Sequence, residues 1–266
     1  MAEVFPLKKR RSFWGPVYLT MMLILMYLPI VVVIVYSFNG NTSRFPNEFT
    51  GFSLRNYQAL LKDTKGLVAA LKNSLLLAGL SCGIAMVIGT LGAVGMAGRM
   101  FRLQGMLENM AILPIMIPEI IIGMAFLAVF TAVGFRFGML TLVLSHVTFC
   151  TPYIFIIVKG RLQGMDPALA EASRDLGASP ARTFFEITLP LIVPAVISGA
   201  MLAFAMSMDD FVISFFVTGA TTSTLPLKIY SSVKTGVSLQ VNALCTLMLA
   251  AVAILMGARQ LLFNDK

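Results

Sequence analysis

KGRLQGMDPALAEASRDLGASPARTFFEITLP, residues 159–190, separates two apolar runs of the chain, and its punctuation is that of two short helices. Asp166 offers a carboxylate to cap the first helix. Pro167 suits a first turn, where its missing N–H would have no intrahelical partner anyway. Gly177 stands where a left-handed residue closes a helix. Ser179 and Pro180 repeat the start signal, and Pro190 hands the chain to the next apolar run. A helix–glycine–helix elbow of this kind presents an exposed knob. By its residues alone it suits either an amphipathic loop lying on a membrane or a docking element for a cytoplasmic partner.

The flanking runs belong in lipid. Of 266 residues, 58% are hydrophobic and 12% charged, with mean hydropathy +0.88. A soluble domain carries about 25% charged residues. A helix needs roughly 20 apolar residues to cross a bilayer. Six segments qualify, at about 16–38, 68–98, 107–133, 139–158, 191–217 and 238–257. The expected fold class is an all-α integral membrane protein of six transmembrane helices, a single transmembrane domain over 1–266. The elbow lies within its longest cytoplasmic insert. LKKRRSFWG precedes the first span, but that span exceeds a signal-peptide core and no small-x-small cleavage site follows, so it reads as retained. The 20 Lys+Arg exceed the 12 Asp+Glu by 8. Their placement at span ends fits membrane anchoring rather than nucleic-acid binding. Twelve of the 20 fall on the N-terminal side: Lys8, Lys9, Arg10, Arg11, Arg99, Arg102, Lys159, Arg161, Arg174, Arg182, Arg259 and Lys266. That bias predicts that both termini and the elbow are cytoplasmic. Cys82, Cys150 and Cys245 lie in apolar runs with no metal or disulfide spacing, and read as small core residues.

The spans carry their own marks. Ala85, Gly89, Ala93 and Ala97 form a ladder of small residues along which another helix, internal or from a second subunit, can approach closely. Pro114 and Pro118 remove backbone donors from the third span and predict a kink. Glu119, Asp209 and Asp210 place carboxylates inside predicted spans, where ionisable residues are expensive and functional by default. No Lys or Arg shares the interior of those spans. Adjacent residues on a helix point about 100° apart, so the two aspartates occupy different stripes. Asp210 continues Gly199, Ala203, Ser207 and Ser214, whereas Asp209 accompanies Ser198, Leu202 and Ala205. An aspartate here either meets a mobile cation, caps a break in the fifth span, pairs with Lys228, or sits protonated in a helix interface. His146, the sole histidine, reads as a satisfied helix contact near Thr148 and Thr151. The chain has no G-x-x-x-x-G-K-[ST] phosphate loop, so ATP hydrolysis by that route falls to another chain. It also lacks a Ser–His dyad motif, an HExxH pair and a metal cluster, which argues against an intramembrane enzyme.

EASRDLGASPARTFFEITLP (171–190) resembles the signature of ABC importer permeases: E-A-A, three residues, G, nine residues, I-x-L-P. Glu171, Ala172, Gly177, Ile187, Leu189 and Pro190 match, and Ser173 replaces the second alanine. SHVTFCTPY (145–153), SMDDFVISFFVTG (207–219), LPLKIYSSVKTGVSLQVNAL (225–244) and YSFN (36–39) are similar to the second permease subunit of spermidine/putrescine importers. The resemblance implies a type I ABC importer permease fold in a bacterial inner membrane. It implies that the 166–190 elbow is a coupling helix that docks on an ATPase through Glu171, Ala172, Ser173, Asp175 and Gly177. The implied partners are a sister permease, two ATPase subunits and a polyamine-binding protein. ATP and Mg would reside on the ATPases, and no cofactor on this chain. RFPNEFTGFSLRNY (44–57) is then either part of the docking face for the binding protein or a connecting loop.

A polyamine is a flexible cation with an apolar backbone, so its path should offer carboxylates for ammonium groups and apolar or aromatic walls for methylenes. Glu119, Asp209 and Asp210 supply the acids, and Phe211, Tyr153, Phe149, Phe215 and Phe216 are candidate walls. The same machinery can serve another small solute, though an anion would call for intramembrane Lys or Arg. An ion-coupled secondary carrier could use the same carboxylates; the coupling signature speaks against it. The choice between spermidine and putrescine is expected to rest largely with the binding protein.

Overall fold

A computed structural model describes residues 14–43, 48–63, 66–97, 102–236 and 238–263. Lys8, Lys9, Arg10, Arg11, Arg99 and Lys266, on which the sidedness argument partly rests, lie outside the described residues, as do 44–47 of the stretch before the second span.

The described chain is helical, with one isolated bridge between Asn39 and Phe52 and no strand. Five helices are long and apolar enough to cross a membrane, and a bent pair makes a sixth crossing if counted as one span. The first, second, fourth and sixth spans appear as α1 (Trp14–Ser37), α3 (Leu67–Met96), α6 (Met139–Gln163) and α12 (Leu239–Phe263). Short helices α2 (Arg55–Lys62) and α11 (Leu225–Thr235) occupy two of the polar connections.

The third span is broken rather than kinked. α4 (Gln104–Met116) and α5 (Glu119–Val133) meet at 105°. Ile117, forced toward extended geometry by the following proline, has φ −88° and ψ 134°. Pro118 (ψ 133°) continues that conformation and restarts the chain at Glu119. Pro114 lies inside α4 without ending it.

The expected second elbow helix is not a separate element, and the fifth span does not run unbroken over 191–217. One helical run, Pro180–Asp209, combines α8 (Pro180–Thr183), a π turn (Phe184–Thr188) and α9 (Leu189–Asp209). The π turn lies just ahead of Pro190, whose missing N–H and bulky ring leave the ordinary ladder incomplete. The run stops at Asp210, which is extended (φ −64°, ψ 120°), and α10 (Val212–Val217) follows after Phe211.

The chain forms two compact units. The first, residues 1–63 with 232–266, holds α1, α2 and α12. Asn39 organises its first loop: Nδ2 donates to the Glu48 carbonyl at 2.9 Å, and Oδ1 accepts from the Asn41 and Thr50 amides at 3.1 Å each. The second unit, 64–231, is built on α3, α6 and α9, with α4 beside α6 and α10 against α5 and α6. Small residues let these helices approach. A Cβ on Gly89 would stand 3.0 Å from the Thr151 carbonyl, and one on Gly199 would stand 3.2 Å from the Ile154 Cα. Ala85 and Ala93 are fully buried on the same ladder, so much of it is used in packing within the chain.

Candidate functional site: an elbow, a broken span and a buried histidine

The elbow forms by the local rules its sequence obeys. The Asp166 carboxylate accepts the Ala168 amide at 2.9 Å and caps α7 (Pro167–Asp175). Gly177 takes φ +86°, its amide donates to the Arg174 carbonyl at 2.8 Å, and the Ala178 amide donates to the Ser173 carbonyl at 3.1 Å. This is the left-handed helix stop with two reverse hydrogen bonds. Ser179 then caps α8 by accepting the Arg182 amide at 3.3 Å. Ser173 uses its hydroxyl: it bonds Thr183 Oγ1 at 3.0 Å, tying α7 to the turn that follows. Glu171, Ala172 and Asp175 are exposed. The sequence reading missed Leu176, which is 90% exposed at the tip. An apolar side chain between Asp175 and the helix-stopping glycine was the available signal.

The long helix beyond the elbow sorts the two aspartates. Gly199, Ala203, Ser207 and Asp210 are buried, and Ile192 joins them. Ser198, Leu202, Ala205 and Asp209 are all exposed on the single chain. Asp210 therefore faces inward. Its carboxylate accepts the Ile213 amide at 3.1 Å, the Ser214 amide at 2.8 Å and the Ser214 hydroxyl at 2.7 Å. It also lies 3.3 Å from His146 Nε2, with both side chains essentially inaccessible. His146 Nδ1 stands 2.8 Å from Ser207 Oγ, across from α6 to α9. The reading of an aspartate as cap for a break in the fifth span thus describes Asp210, and the basic group beside it comes from a different span.

Glu119 opens α5 at the bend and is exposed. It lies within electrostatic reach of both aspartates, and Tyr153 lies within reach of Glu119. Tyr153 is half-buried and packs edge-on against the buried Phe149 at 5.5 Å. Phe211 packs on Tyr230 at 4.7 Å and on the exposed Phe215 at 5.7 Å. Phe216 covers Gly123, where a Cβ would be 2.5 Å from its ring. Glu119, Asp209, Tyr153 and Phe211 therefore gather where two broken spans meet. Among the described residues, neither Glu119 nor Asp209 forms an ion pair.

A fourth intramembrane acid, this one in the third span, escaped the sequence reading. Glu108 of α4 bonds Lys159 of α6 at 2.7 Å and Gln104 at 3.1 Å. This clamp sits where α6 runs into the elbow.

Two apolar helices joined by a signature-bearing elbow, inside a polytopic helical unit, define a membrane component of an import machine. Residues 85–265 match the family of binding-protein-dependent transport system inner membrane components, and the chain belongs to that family. It is 42% identical over 241 residues to the spermidine/putrescine transport system permease protein PotC of Escherichia coli K12, covering 91% of this chain and 90% of that one. It is 40% identical over 252 residues to the putrescine transport system permease protein PotI of the same strain, covering 92% and 88%. Solved structures share the fold. A bacterial ABC transporter involved in import of the acidic polysaccharide alginate superposes with TM-score 0.75 at 14% identity, over 98% of this chain and 100% of that one. The MetNI methionine ABC transporter superposes with TM-score 0.60 at 20% identity, over 73% and 92%. The fold is that of a type I ABC importer permease.

Proposed function

We propose that this chain is one of two sister permeases of an ATP-driven polyamine importer, and that Glu119 and Asp209 are its share of the cation path. The observation that carries this reading is the pair of exposed carboxylates at the breaks of two spans, with aromatic side chains beside them. Its likeness to permeases named for spermidine and putrescine supports the choice of cation. An ammonium group offers each carboxylate a charged donor, and Phe211 and Tyr153 offer faces to the methylenes between ammoniums. The sister permease completes the conduit, a binding protein delivers the cation from outside, and both termini and the elbow are cytoplasmic.

Coupling follows from the same helix. The elbow docks on an ATPase subunit through Glu171, Ala172, Ser173, Asp175, Leu176 and Gly177. From Pro180 to Asp209 the chain is one 30-residue helical run, about 45 Å at 1.5 Å per residue. Movement at the elbow is carried along this rod to the break beside Asp209. ATP and its Mg ion sit on the two ATPases; this chain holds no cofactor.

The test is uptake by the complex reconstituted in vesicles with its sister permease, ATPases and binding protein. Spermidine and putrescine should each enter only with ATP inside, and each should compete with the other. If neither binds nor enters, the polyamine assignment falls and membership of the importer family remains.

A further inference from the structure

We infer that His146 is a positioning residue: through the buried carboxylate of Asp210 it fixes the break that ends α9 at Asp209, and so the place at which Asp209 is presented. The inference rests on the reading of Asp209 as part of the cation path.

The two aspartates are adjacent, yet one is buried and the other exposed. Their stripes on α9 lie about 100° apart, which sorts them, but a continuous helix would carry the α9 ladder on through Phe211. The ladder instead stops at Asp210, and Asp210 closes the gap with its side chain on the Ile213 and Ser214 amides. Such a carboxylate, nearly inaccessible in a membrane protein, needs a counterpart that donates to its remaining lone pairs. His146 supplies that counterpart from α6 at 3.3 Å. A ring with its proton on Nε2 satisfies the whole cluster. Nε2–H points to Asp210, while Nδ1 accepts the Ser207 hydroxyl at 2.8 Å. Ser214 donates its hydroxyl to Asp210 at 2.7 Å. The cluster thus ties α6, α9 and α10 at one point. None of its atoms is open to a substrate, because His146, Ser207, Asp210 and Ser214 are all buried. Their effect on transport must pass through the neighbour that is open, which is Asp209.

Two measurements on the assembled complex test this. In the first, spermidine uptake is followed for His146→Ala, Asp209→Asn and the double variant. His146→Ala should raise KM about tenfold with kcat changed less than about threefold, the pattern of lost binding rather than lost turnover. In the Asp209→Asn background the same change should leave KM nearly unmoved, because residues acting through one another are not additive. His146→Gln, which keeps a donor for Asp210 and an acceptor for Ser207, should restore KM to within about twofold of the unsubstituted protein. The second measurement needs no substrate. Asp209→Cys is labelled with a water-soluble thiol reagent, with and without His146→Ala. The labelling rate should fall about fivefold or more when the imidazole is gone, as the break closes or reorients. An unchanged rate and unchanged KM in fully assembled His146→Ala complex, or additive effects of the two substitutions, would overturn the inference. If the unsubstituted complex moves no polyamine but the labelling rate still falls, the polyamine reading fails while the positioning role stands.

Discussion

The elbow and the break are both places where a helix ends, and they end by different means. At the elbow the stop is made by residues within a few positions of each other. Gly177 takes the left-handed turn, Asp166 and Ser179 cap what lies on either side, and the Ser173–Thr183 bond spans ten residues. At the break the stop is made by a carboxylate whose imidazole neighbour lies 64 positions away on another span. A stop of the first kind keeps its shape wherever it is moved, which suits a part that transmits force to a separate protein. The second kind holds only while two spans stay together, and it is sensitive to their relative motion. On the proposed reading the elbow serves as a rigid contact and the break as a joint.

This contrast can be broken by experiment, and the largest effect is expected at the elbow. Gly177→Val puts a branched side chain where φ is +86°, a strain of about 1–2 kcal/mol in the local turn. Loss of elbow geometry should cut ATP-dependent uptake about a hundredfold, the scale of loss a misplaced element brings. Normal uptake by the assembled variant would show that the elbow does not carry the coupling. Next in size is Asp209→Asn. Loss of one charged partner for an ammonium group is expected to raise the uptake KM about tenfold, roughly 1.4 kcal/mol, with assembly intact. Initial rates at graded spermidine concentrations check it, and an unmoved KM removes Asp209 from the path. Leu176→Ala should weaken association with the ATPase about fivefold, read from binding of detergent-solubilised permease to immobilised ATPase. Equal binding would leave the tip as a bystander. The smallest effect is expected from Glu108→Gln. Its bridge to Lys159 is partly exposed, so the loss should move thermal unfolding by no more than about a few degrees. A much larger shift would make that clamp a structural keystone between α4 and α6.

Much of the elbow was legible because its causes are local: a capping aspartate, a glycine at the stop and a serine–proline restart can each be read from neighbours. Pro118 likewise marks a disturbance in the third span, though not its 105° size, which no local residue encodes. The second elbow helix is illegible as part of a longer run because Pro190 reads as a boundary, whereas a π turn just ahead of it lets the helix continue. The two stripes on the fifth span could be drawn from the sequence but not ranked. Which one is buried depends on the close approach of Gly199 to Ile154, a tertiary fact. The partnership of His146 with Asp210 was illegible for the same reason. A lone histidine and a lone aspartate in separate spans carry no sign of each other until the spans are packed.

The two broken spans share one arrangement whose effect reaches beyond shape. Each restarts as a helix with a carboxylate at its amide end: Glu119 in the first turn of α5, Asp210 on the first amides of α10. The amide end of a helix carries partial positive charge, and a carboxylate there gains about 0.3–1 kcal/mol. The cost of an acid in this setting is lowered, since the backbone answers part of its charge. Glu119 then has less attraction left over for a passing cation than a bare carboxylate would have. A storage site would be weakened by that arrangement. In the proposed conduit this would let the same group recognise cargo and let it go, with little energy needed to release it.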